Sequence, residues 1–191
     1  MKRIVVLGAT GSGKTMLGKT LSEKLKMPAI DLDEIHWLPG WQERDHTEAR
    51  RMIDEATQKP EWVISGNYKK FQDIFWPRAD VMIWLDYPFY FVFMRLLNRS
   101  LRRVVGRQAI CNGNYETWKK LFSKDSIIVW LFKSYWRRKK EFGDIFSHPE
   151  QYPHWKLVRL KSAEETETWL NAAVLKEPSL TKSLLPLAGE G

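Results

Sequence analysis

Eight residues near the amino terminus carry a pattern that binds phosphate. Gly8–Thr15 fits G-x-x-x-x-G-K-[ST], and it lies between the apolar run Ile4–Leu7 and a helical stretch. Small residues let backbone N–H groups turn toward a phosphate, and the start of the helix adds its partial positive charge. In this pattern Lys14 reaches the β- and γ-phosphates of a nucleoside triphosphate, and Thr15 ligates Mg²⁺. The predicted nucleotide-binding residues are Gly8, Ala9, Thr10, Gly11, Ser12, Gly13, Lys14 and Thr15.

Other nucleotide-binding patterns fit less well. The dinucleotide pattern G-x-G-x-x-G, started at Gly11, needs a glycine where Met16 stands. Asp31 and Asp33 do follow at about the 20-residue distance that this rival pattern requires, so the decision rests on Lys14. The chain contains no Asn-Lys-x-Asp guanine motif. The sequence therefore favours ATP over a dinucleotide or GTP.

Two aspartates follow the second predicted strand. Asp31 and Asp33 stand at the end of the apolar stretch of residues 29–32, and the carboxyl ends of parallel strands point at the nucleotide. A carboxylate there can hold a water of Mg²⁺ or accept the proton of an attacking hydroxyl. We predict that both bind the acceptor and that Asp33 is also catalytic and, with Thr15, a metal-binding residue. The alternative is that both aspartates only cap the next segment.

A segment with two tryptophans comes next. Residues 35–41 read Ile-His-Trp-Leu-Pro-Gly-Trp and are too polar and too broken by proline for a core helix. Exposed tryptophans usually have something to stack on. Trp37 and Trp41 are therefore predicted to bind the acceptor, with a purely structural role as the alternative.

The scaffold for these residues follows from alternating strand-like and helix-like patterns, which predict an α/β fold with a parallel sheet wrapped by helices. Predicted strands cover residues 4–7, 29–32, 62–65, 81–85 and 156–160. Predicted helices cover residues 14–26, 46–58, 88–103, 126–140 and 162–175. Residues 104–125 break the helical period, and residues 176–191 are predicted to form a disordered tail.

Capping patterns indicate where three of these helices begin. Asp45 with Glu48 and Ser162 with Glu165 form capping boxes, and Asp125 or Ser126 can cap the helix between them. That helix is predicted to end in its basic residues, Arg137, Arg138, Lys139 and Lys140. Its inward-facing residues are predicted to be Ile127, Ile128, Leu131, Phe132, Tyr135 and Trp136.

Composition excludes several classes of protein. The 191 residues are 43% hydrophobic, 13% aromatic and 28% charged, which excludes wholesale disorder and fibrous repeats and favours one globular domain. Cys111 is the only cysteine and shares no metal-ligand spacing with the four histidines, so a disulfide scaffold and a zinc module are excluded. No stretch resembles a signal-peptide core or reaches the roughly 20 apolar residues of a membrane span. A cytoplasmic location is expected.

The positive charge is concentrated in one segment. Residues 95–140 contain thirteen Lys or Arg against only Glu116 and Asp125, although the net charge of the whole chain is +8. Such a segment suits either a cover over a polyanionic small ligand or a stripe that binds nucleic acid. In the second case its interleaved aromatic residues stack on bases: Tyr115, Trp118, Trp130, Tyr135 and Trp136.

Several motifs together resemble one known family. They are the phosphate loop, Asp31–Asp33 with His36–Trp41, Trp62–Tyr68 and Trp84–Pro88. With them the chain resembles, over about residues 1–170, the adenylate-kinase-related P-loop proteins labelled topology modulation protein. The resemblance implies the nucleoside monophosphate kinase fold, a five-stranded parallel sheet with a mobile acceptor-binding region and a mobile helical lid.

The resemblance also implies roles for individual residues. Asp33 lies near the acceptor and Mg²⁺, and Asn67 and Tyr68 belong to the acceptor side. The lid arginines are Arg95 and Arg99, which enter the lid, and Arg137 and Arg138, which leave it. The predicted catalytic residues are Lys14, Asp33, Arg99 and Arg138. The alternative for all four arginines is a solvated helix face. One departure is Ser65, because many relatives carry an acidic residue there that organises Mg²⁺.

The leading hypothesis is an ATP- and Mg²⁺-dependent phosphotransferase with an unidentified small-molecule or nucleotide acceptor. Its predicted domain covers residues 1–175, with an acceptor-binding insertion at about 33–60 and a lid at about 104–125. One alternative is a nucleic-acid-associated nucleotide switch that uses the basic aromatic segment. Another is a P-loop protein that binds ATP only to stabilise its fold.

Overall fold

The computed structural model describes residues 2–175. The strands are β1 (Arg3–Gly8), β2 (Ala29–Asp31), β3 (Trp37–Leu38), β4 (Gln42–Glu43), β5 (Trp62–Ser65), β6 (Val81–Leu85), β7 (Ala109–Ile110), β8 (Asn114–Tyr115) and β9 (Lys156–Leu160). The helices are α1 (Lys14–Leu25), α2 (Leu32–His36), α3 (His46–Thr57), α4 (Gln72–Phe75), α5 (Phe89–Val105), α6 (Trp118–Leu121), α7 (Ile127–Ser147) and α8 (Ala163–Leu175).

Five strands form one parallel sheet in the order β2-β5-β1-β6-β9. Residues 4–7 of the central strand β1 are completely buried, as expected of a strand covered on both faces. Asp31 lies opposite Ser65, and Gly8 lies opposite Leu85, so four strands end at one edge of the sheet. The predicted α/β fold with five parallel strands is confirmed, and this edge carries the phosphate loop and Asp31.

Helices cover both faces of the sheet. On one face α1, α5, α8 and the first half of α7 pack over Val6, Ile83 and Leu85. On the other face α3, α4 and the second half of α7 pack over Val5 and Ile64. Helix α7 therefore runs from one core to the other, which fixes the basic residues in its middle relative to the sheet.

The predicted starts of three helices are confirmed. The Asp45 carboxylate accepts a hydrogen bond from Glu48 N, and the Ser126 hydroxyl accepts one from Val129 N. At α8 the Ser162 hydroxyl accepts one from Glu165 N. Each side chain satisfies an N–H group of the first turn that no helical carbonyl can reach.

Helix α7 differs from its prediction in length. It continues past its basic run to Ser147, because Phe142 and Ile145 are buried in the second core. The basic residues Arg137–Lys140 therefore lie in the middle of the helix and not at its end.

The prediction that Phe132 and Trp136 face inward is wrong. Their side chains are 53% and 63% exposed. Both contact Phe89 of α5 at the surface, with ring centroids 5.0 and 6.0 Å from it. The core position between them is taken by Tyr135, whose hydroxyl donates to Tyr87 O at 2.8 Å.

Two segments predicted as irregular contain local structure. Residues 35–41 comprise the end of α2, strand β3 and a 3₁₀ turn that leads into β4. The predicted second strand ends one residue early, because Asp31 caps α2 and Leu32 begins it. Residues 104–125 contain the β7–β8 hairpin and α6.

The predicted tail at residues 176–191 lies outside the described residues. Within residues 2–175, no helix has both the length and the apolar composition needed to cross a membrane.

Candidate functional site

The phosphate loop joins β1 to α1 in a conformation that leaves the start of the helix open. Gly13 precedes α1 with φ of 101° and provides no side-chain cap, and the first turn holds no acidic residue. The first N–H groups of α1 are therefore available to an anion. The positive φ at Gly13 favours glycine, and Nη2 of Arg95 approaches the loop closely there, at 3.1 Å from where a Cβ would lie.

Lys14 lies at the centre of the charged groups of the site. Its ammonium group donates to Ala9 O at 2.9 Å. Burial, reinforced by Arg138 and Arg99, lowers the pKa of Lys14 to about 8, against the opposing effect of Asp33 and Asp31. The lysine is thus placed where added negative charge is favourable.

The two aspartates have different surroundings. The Asp31 carboxylate caps α2 by accepting from Asp33 N at 3.0 Å, and the same residue also lines the cleft. Burial and the charge of Asp33 raise the pKa of Asp31 to about 6, while hydrogen bonds from Asp33 N and Thr15 oppose the rise. Asp33 instead accepts a hydrogen bond from the Tyr68 hydroxyl at 2.7 Å. Burial and the charge of Asp33 raise the pKa of Tyr68, so this hydroxyl stays protonated.

Arg99 and Arg138 converge on the same cleft from α5 and α7. Burial lowers the pKa of each, and each interacts electrostatically with Asp33. The Nε of Arg99 is buried without a hydrogen-bond partner. Nη2 of Arg138 lies 3.5 Å from Asn67 O. Half-buried guanidinium groups held in this way suit an anionic ligand better than a solvated helix face.

The other two predicted lid arginines also border the cleft. Arg95 lies beside Gly13 of the phosphate loop, and Arg137 is exposed at the mouth of the cleft. All four predicted lid arginines therefore border the same cleft.

The predicted acceptor residues form one wall of the cleft. The His36 ring lies 4.6 Å from Trp37 and 4.7 Å from Tyr68, measured between centroids, and its Nδ1 is buried without a partner. Asn67 donates to Gly8 O, and its side-chain carbonyl is buried without a partner. Asp31, Asp33 and Trp41 line the same cleft. Three residues of the phosphate loop, Gly8, Ala9 and Ser12, are not on its surface.

The oxygen ligands near Thr15 suit Mg²⁺. Thr15, Asp31 and Ser65 border one small pocket beside α1, and hydroxyl and carboxylate oxygens are the donors that this hard cation prefers. Among residues 2–175, no three His, Cys, Asp or Glu side chains gather into a complete metal site. This pocket brings Thr15 and Asp31 together, whereas Asp33, the other predicted Mg²⁺ ligand, does not border it.

Sequence reasoning missed residues in the 104–125 segment. Asn112 and Asn114 bond to the backbone of residues 34–41, and Glu116 bonds to Arg103 beside Arg99 at 3.0 Å. The Asn-Gly-Asn sequence of residues 112–114 is a turn signal that could have indicated the hairpin. It could not have indicated what the hairpin contacts.

Comparisons with known proteins identify the fold. No family model matches the chain. It is 28% identical over 123 residues to the uncharacterized protein YqaC of Bacillus subtilis (strain 168), a match that covers 63% of this chain and 68% of that protein.

Solved kinase structures share its architecture. A gluconokinase from Sinorhizobium meliloti 1021 gives a TM-score of 0.50 at 16% identity, covering 92% of this chain and 94% of that one. A shikimate kinase from Acinetobacter baumannii in complex with shikimate gives 0.51 at 14% identity, covering 93% and 96%. The chain therefore has the fold of the P-loop kinases, with the phosphate loop at the carboxyl edge of a five-stranded parallel sheet.

Proposed function

We propose that this protein is an ATP-dependent phosphotransferase that transfers the γ-phosphoryl group of ATP to a hydroxyl of a small acceptor. The observation that carries the proposal is the convergence of Lys14, Arg99, Arg138 and Asp33 at the uncapped start of α1. Lys14 and Arg138 donate to backbone carbonyls and not to carboxylates, so their charge is available to a ligand. Together with Arg99 these cations suit a triphosphate, and the carboxylate of Asp33 among them suits a hydroxyl nucleophile.

In the proposed reaction the acceptor hydroxyl attacks the γ-phosphorus of ATP. The bond from that phosphorus to the β,γ-bridging oxygen breaks, and ADP leaves with the bond electrons. Asp33 receives the hydroxyl proton, with its carboxylate oriented by Tyr68. Lys14, Arg99 and Arg138 neutralise charge on the transferring group. Mg²⁺ held near Thr15, Asp31 and Asp33 would supply further neutralisation of the phosphates.

We infer that the chain is one of the topology modulation proteins, with one domain over residues 1–175, an acceptor-binding insertion at about 33–60 and a lid at about 104–125. Support comes from the two-sided cleft, which the two segments border together. The acceptor class stays open between small hydroxylated molecules and nucleotides.

A screen of acceptors tests the proposal. ADP release is followed by a coupled assay with Mg²⁺·ATP and a panel of hydroxy acids, sugars, nucleosides and nucleoside monophosphates, with Lys14→Ala as the blank. We expect at least one compound to raise ADP release above the acceptor-free rate in the wild type only. Equal rates in the two proteins across the panel would contradict the phosphotransferase assignment.

A further inference from the structure

The β7–β8 hairpin rests directly on the segment that follows Asp33. The Asn112 amide donates to two backbone carbonyls, Glu34 O at 2.8 Å and Trp37 O at 2.7 Å. These carbonyls belong to α2 and the residue after it, where helical partners run out. One side chain of the hairpin thus forms hydrogen bonds with the end of the helix that carries Asp33.

A second asparagine makes a two-way contact with the same segment. The buried Asn114 side chain donates to Leu38 O at 2.9 Å and accepts from Trp41 N at 2.7 Å. The Trp41 indole donates to Tyr115 O at 3.1 Å, and the Lys120 ammonium lies 3.6 Å from the Trp41 ring centroid. Donor and acceptor are both satisfied, so only asparagine or glutamine chemistry fits this position.

Backbone angles on both sides of the contact depend on it. Trp41 has φ of 59°, and Cys111 and Asn112 have φ of 36° and 61°. A bulky residue is rarely stable with a positive φ unless its surroundings hold it there. Trp41 is held by two hydrogen bonds to the hairpin. Its backbone N–H donates to the Asn114 side chain, and its indole N–H donates to Tyr115 O. Without the hairpin, the segment loses the contacts that fix this conformation.

A continuous series of packed side chains connects the hairpin contact with the Asp33 carboxylate. Trp37 packs on His36, His36 packs on Tyr68, and the Tyr68 hydroxyl donates to Asp33. On the other side of the hairpin, Glu116 bonds to Arg103, the neighbour of Arg99. The hairpin thus touches the acceptor wall and the cationic wall of the cleft.

We propose that Asn112 and Asn114 are positioning residues that join the hairpin and residues 34–41 into one unit, so that the acceptor wall is formed only while their contacts are made. The role of this wall in binding the acceptor rests on the proposed function. The join itself does not depend on it. The consequence is that the hairpin and the acceptor wall open together, not independently.

Cys111 provides a reporter for the join. It is the only cysteine of the chain, lies next to Asn112 and is half-buried on the cleft. Burial and the charges of Asp33 and Asp31 raise the pKa of its thiol to about 11, which makes the closed form slow to react. Opening of the hairpin therefore speeds its reaction with 5,5′-dithiobis(2-nitrobenzoic acid).

The first experiment measures that reaction rate in the full chain. We expect Asn112→Ala and Asn114→Ala to speed thiol modification by at least tenfold over the wild type. Asn171→Ala, on the exposed surface of α8, is the matched control and should leave the rate unchanged. Wild-type rates in both hairpin variants would overturn the proposal. Asn112 is exposed, so its variant keeps the test valid if loss of the buried Asn114 prevents folding.

Hydrogen exchange read by mass spectrometry tests whether the two segments open as one. In Asn112→Ala, peptides covering residues 34–41 and 109–117 should lose protection to the same extent, while peptides from β1 and β6 keep theirs. Loss confined to the hairpin would show that residues 34–41 hold their conformation alone, and the proposal would be wrong.

Kinetics with an acceptor from the screen test the positioning role. Asn112→Ala should raise the KM for the acceptor at least tenfold and leave the KM for ATP within about twofold, with affinity for the non-hydrolysable analogue AMP-PNP·Mg²⁺ also kept. Equal effects on both substrates would contradict positioning of the acceptor wall. If the screen finds no acceptor, the proposed function fails while thiol modification and hydrogen exchange still decide whether the segments are joined.

Discussion

At the scale of single residues, the charge on Lys14 depends on the ligand. Burial, Arg138 and Arg99 lower its pKa to about 8 in the ligand-free protein. The folded state therefore binds the Lys14 proton less well than the unfolded chain does. This difference lowers the free energy of unfolding in full below pH 8, and its effect vanishes above the ordinary pKa of lysine. A bound triphosphate reverses this effect because it places negative charge beside the ammonium group.

The pH dependence of nucleotide binding follows from this pKa. Below pH 8 Lys14 is already cationic, and affinity for AMP-PNP should be nearly constant. Above pH 8 binding must take up a proton, so affinity should fall by up to about tenfold per pH unit. Calorimetry at pH 7, 8 and 9, in buffers of different ionisation enthalpy, measures the affinity and the proton uptake.

Lys14→Met is the control for that measurement. It should bind weakly at all three pH values, without proton uptake, and should be no less stable than the wild type at pH 7, because it removes a buried charge. Constant wild-type affinity from pH 7 to 9 would show that Lys14 keeps its proton throughout.

Asp33 is predicted to serve chemistry more than nucleotide binding. Asp33→Asn keeps the size of the side chain but cannot accept a hydroxyl proton, so transfer should fall by about 10² to 10⁴ fold. ATP affinity should stay within a few-fold. Single-turnover transfer and AMP-PNP titration separate the two effects, and Glu164→Gln on exposed α8 is the matched control. Normal transfer in Asp33→Asn would reduce Asp33 to a structural residue.

The sequence predicted some of these residues and missed others for a physical reason. The phosphate loop is local, because glycines, a lysine and a hydroxyl within eight residues make the whole cradle. Asn112 and Asn114 act through partners 73 to 78 residues away. Their chemistry is ordinary for a turn, and only the fold reveals which carbonyls they reach.

At the scale of elements, prediction succeeded where a signal is contained in the element itself. Continuous apolar runs marked β5 and β6, and side-chain caps marked α3 and α8. It failed where a distant partner decides. Helix α7 continues to Ser147 because of burial in the second core, and residues 35–41 take their shape partly from the hairpin.

The elements that carry the arginines support a further prediction. Arg99 on α5 and Arg138 on α7 approach Lys14 from different helices, so each places charge at one point of the transferring group. Arg99→Ala or Arg138→Ala should slow transfer on the order of 10³ fold. Single-turnover measurement with the screened acceptor tests this, and exposed Arg107→Ala is the control. Less than a tenfold loss in both variants would place the arginines outside the reaction.

At the scale of the whole molecule, the positive charge of residues 95–140 is directed into the cleft. Ten of the thirteen basic residues of this segment line it. Five aromatic residues of this segment would stack on bases, and of these only Trp130 lines the cleft. Tyr115, Trp118 and Trp136 are exposed elsewhere. A stripe that binds nucleic acid needs both kinds of side chain on one surface.

Binding of single-stranded nucleic acid is therefore expected to be weak. A labelled 20-nucleotide RNA or DNA should bind with a Kd above about 1 μM at physiological salt, since non-specific phosphate contacts alone reach only roughly 10⁻⁴ to 10⁻⁶ M. ATP·Mg²⁺ should displace whatever binds, because both compete for the cations of the cleft. Fluorescence anisotropy across a salt series measures affinity and its salt slope.

The nucleic-acid alternative makes the opposite set of predictions. It requires submicromolar affinity, a log–log salt slope of about −0.7 per neutralised phosphate of a single strand, and no competition by ATP·Mg²⁺. It also requires near-normal ATP turnover in Arg99→Ala and Arg138→Ala, because a distributed stripe loses little with each residue removed. These four results together would replace the phosphotransferase with a nucleotide-dependent nucleic-acid-binding protein. Weak binding with competition would instead assign the charge to a polyphosphate held inside the cleft.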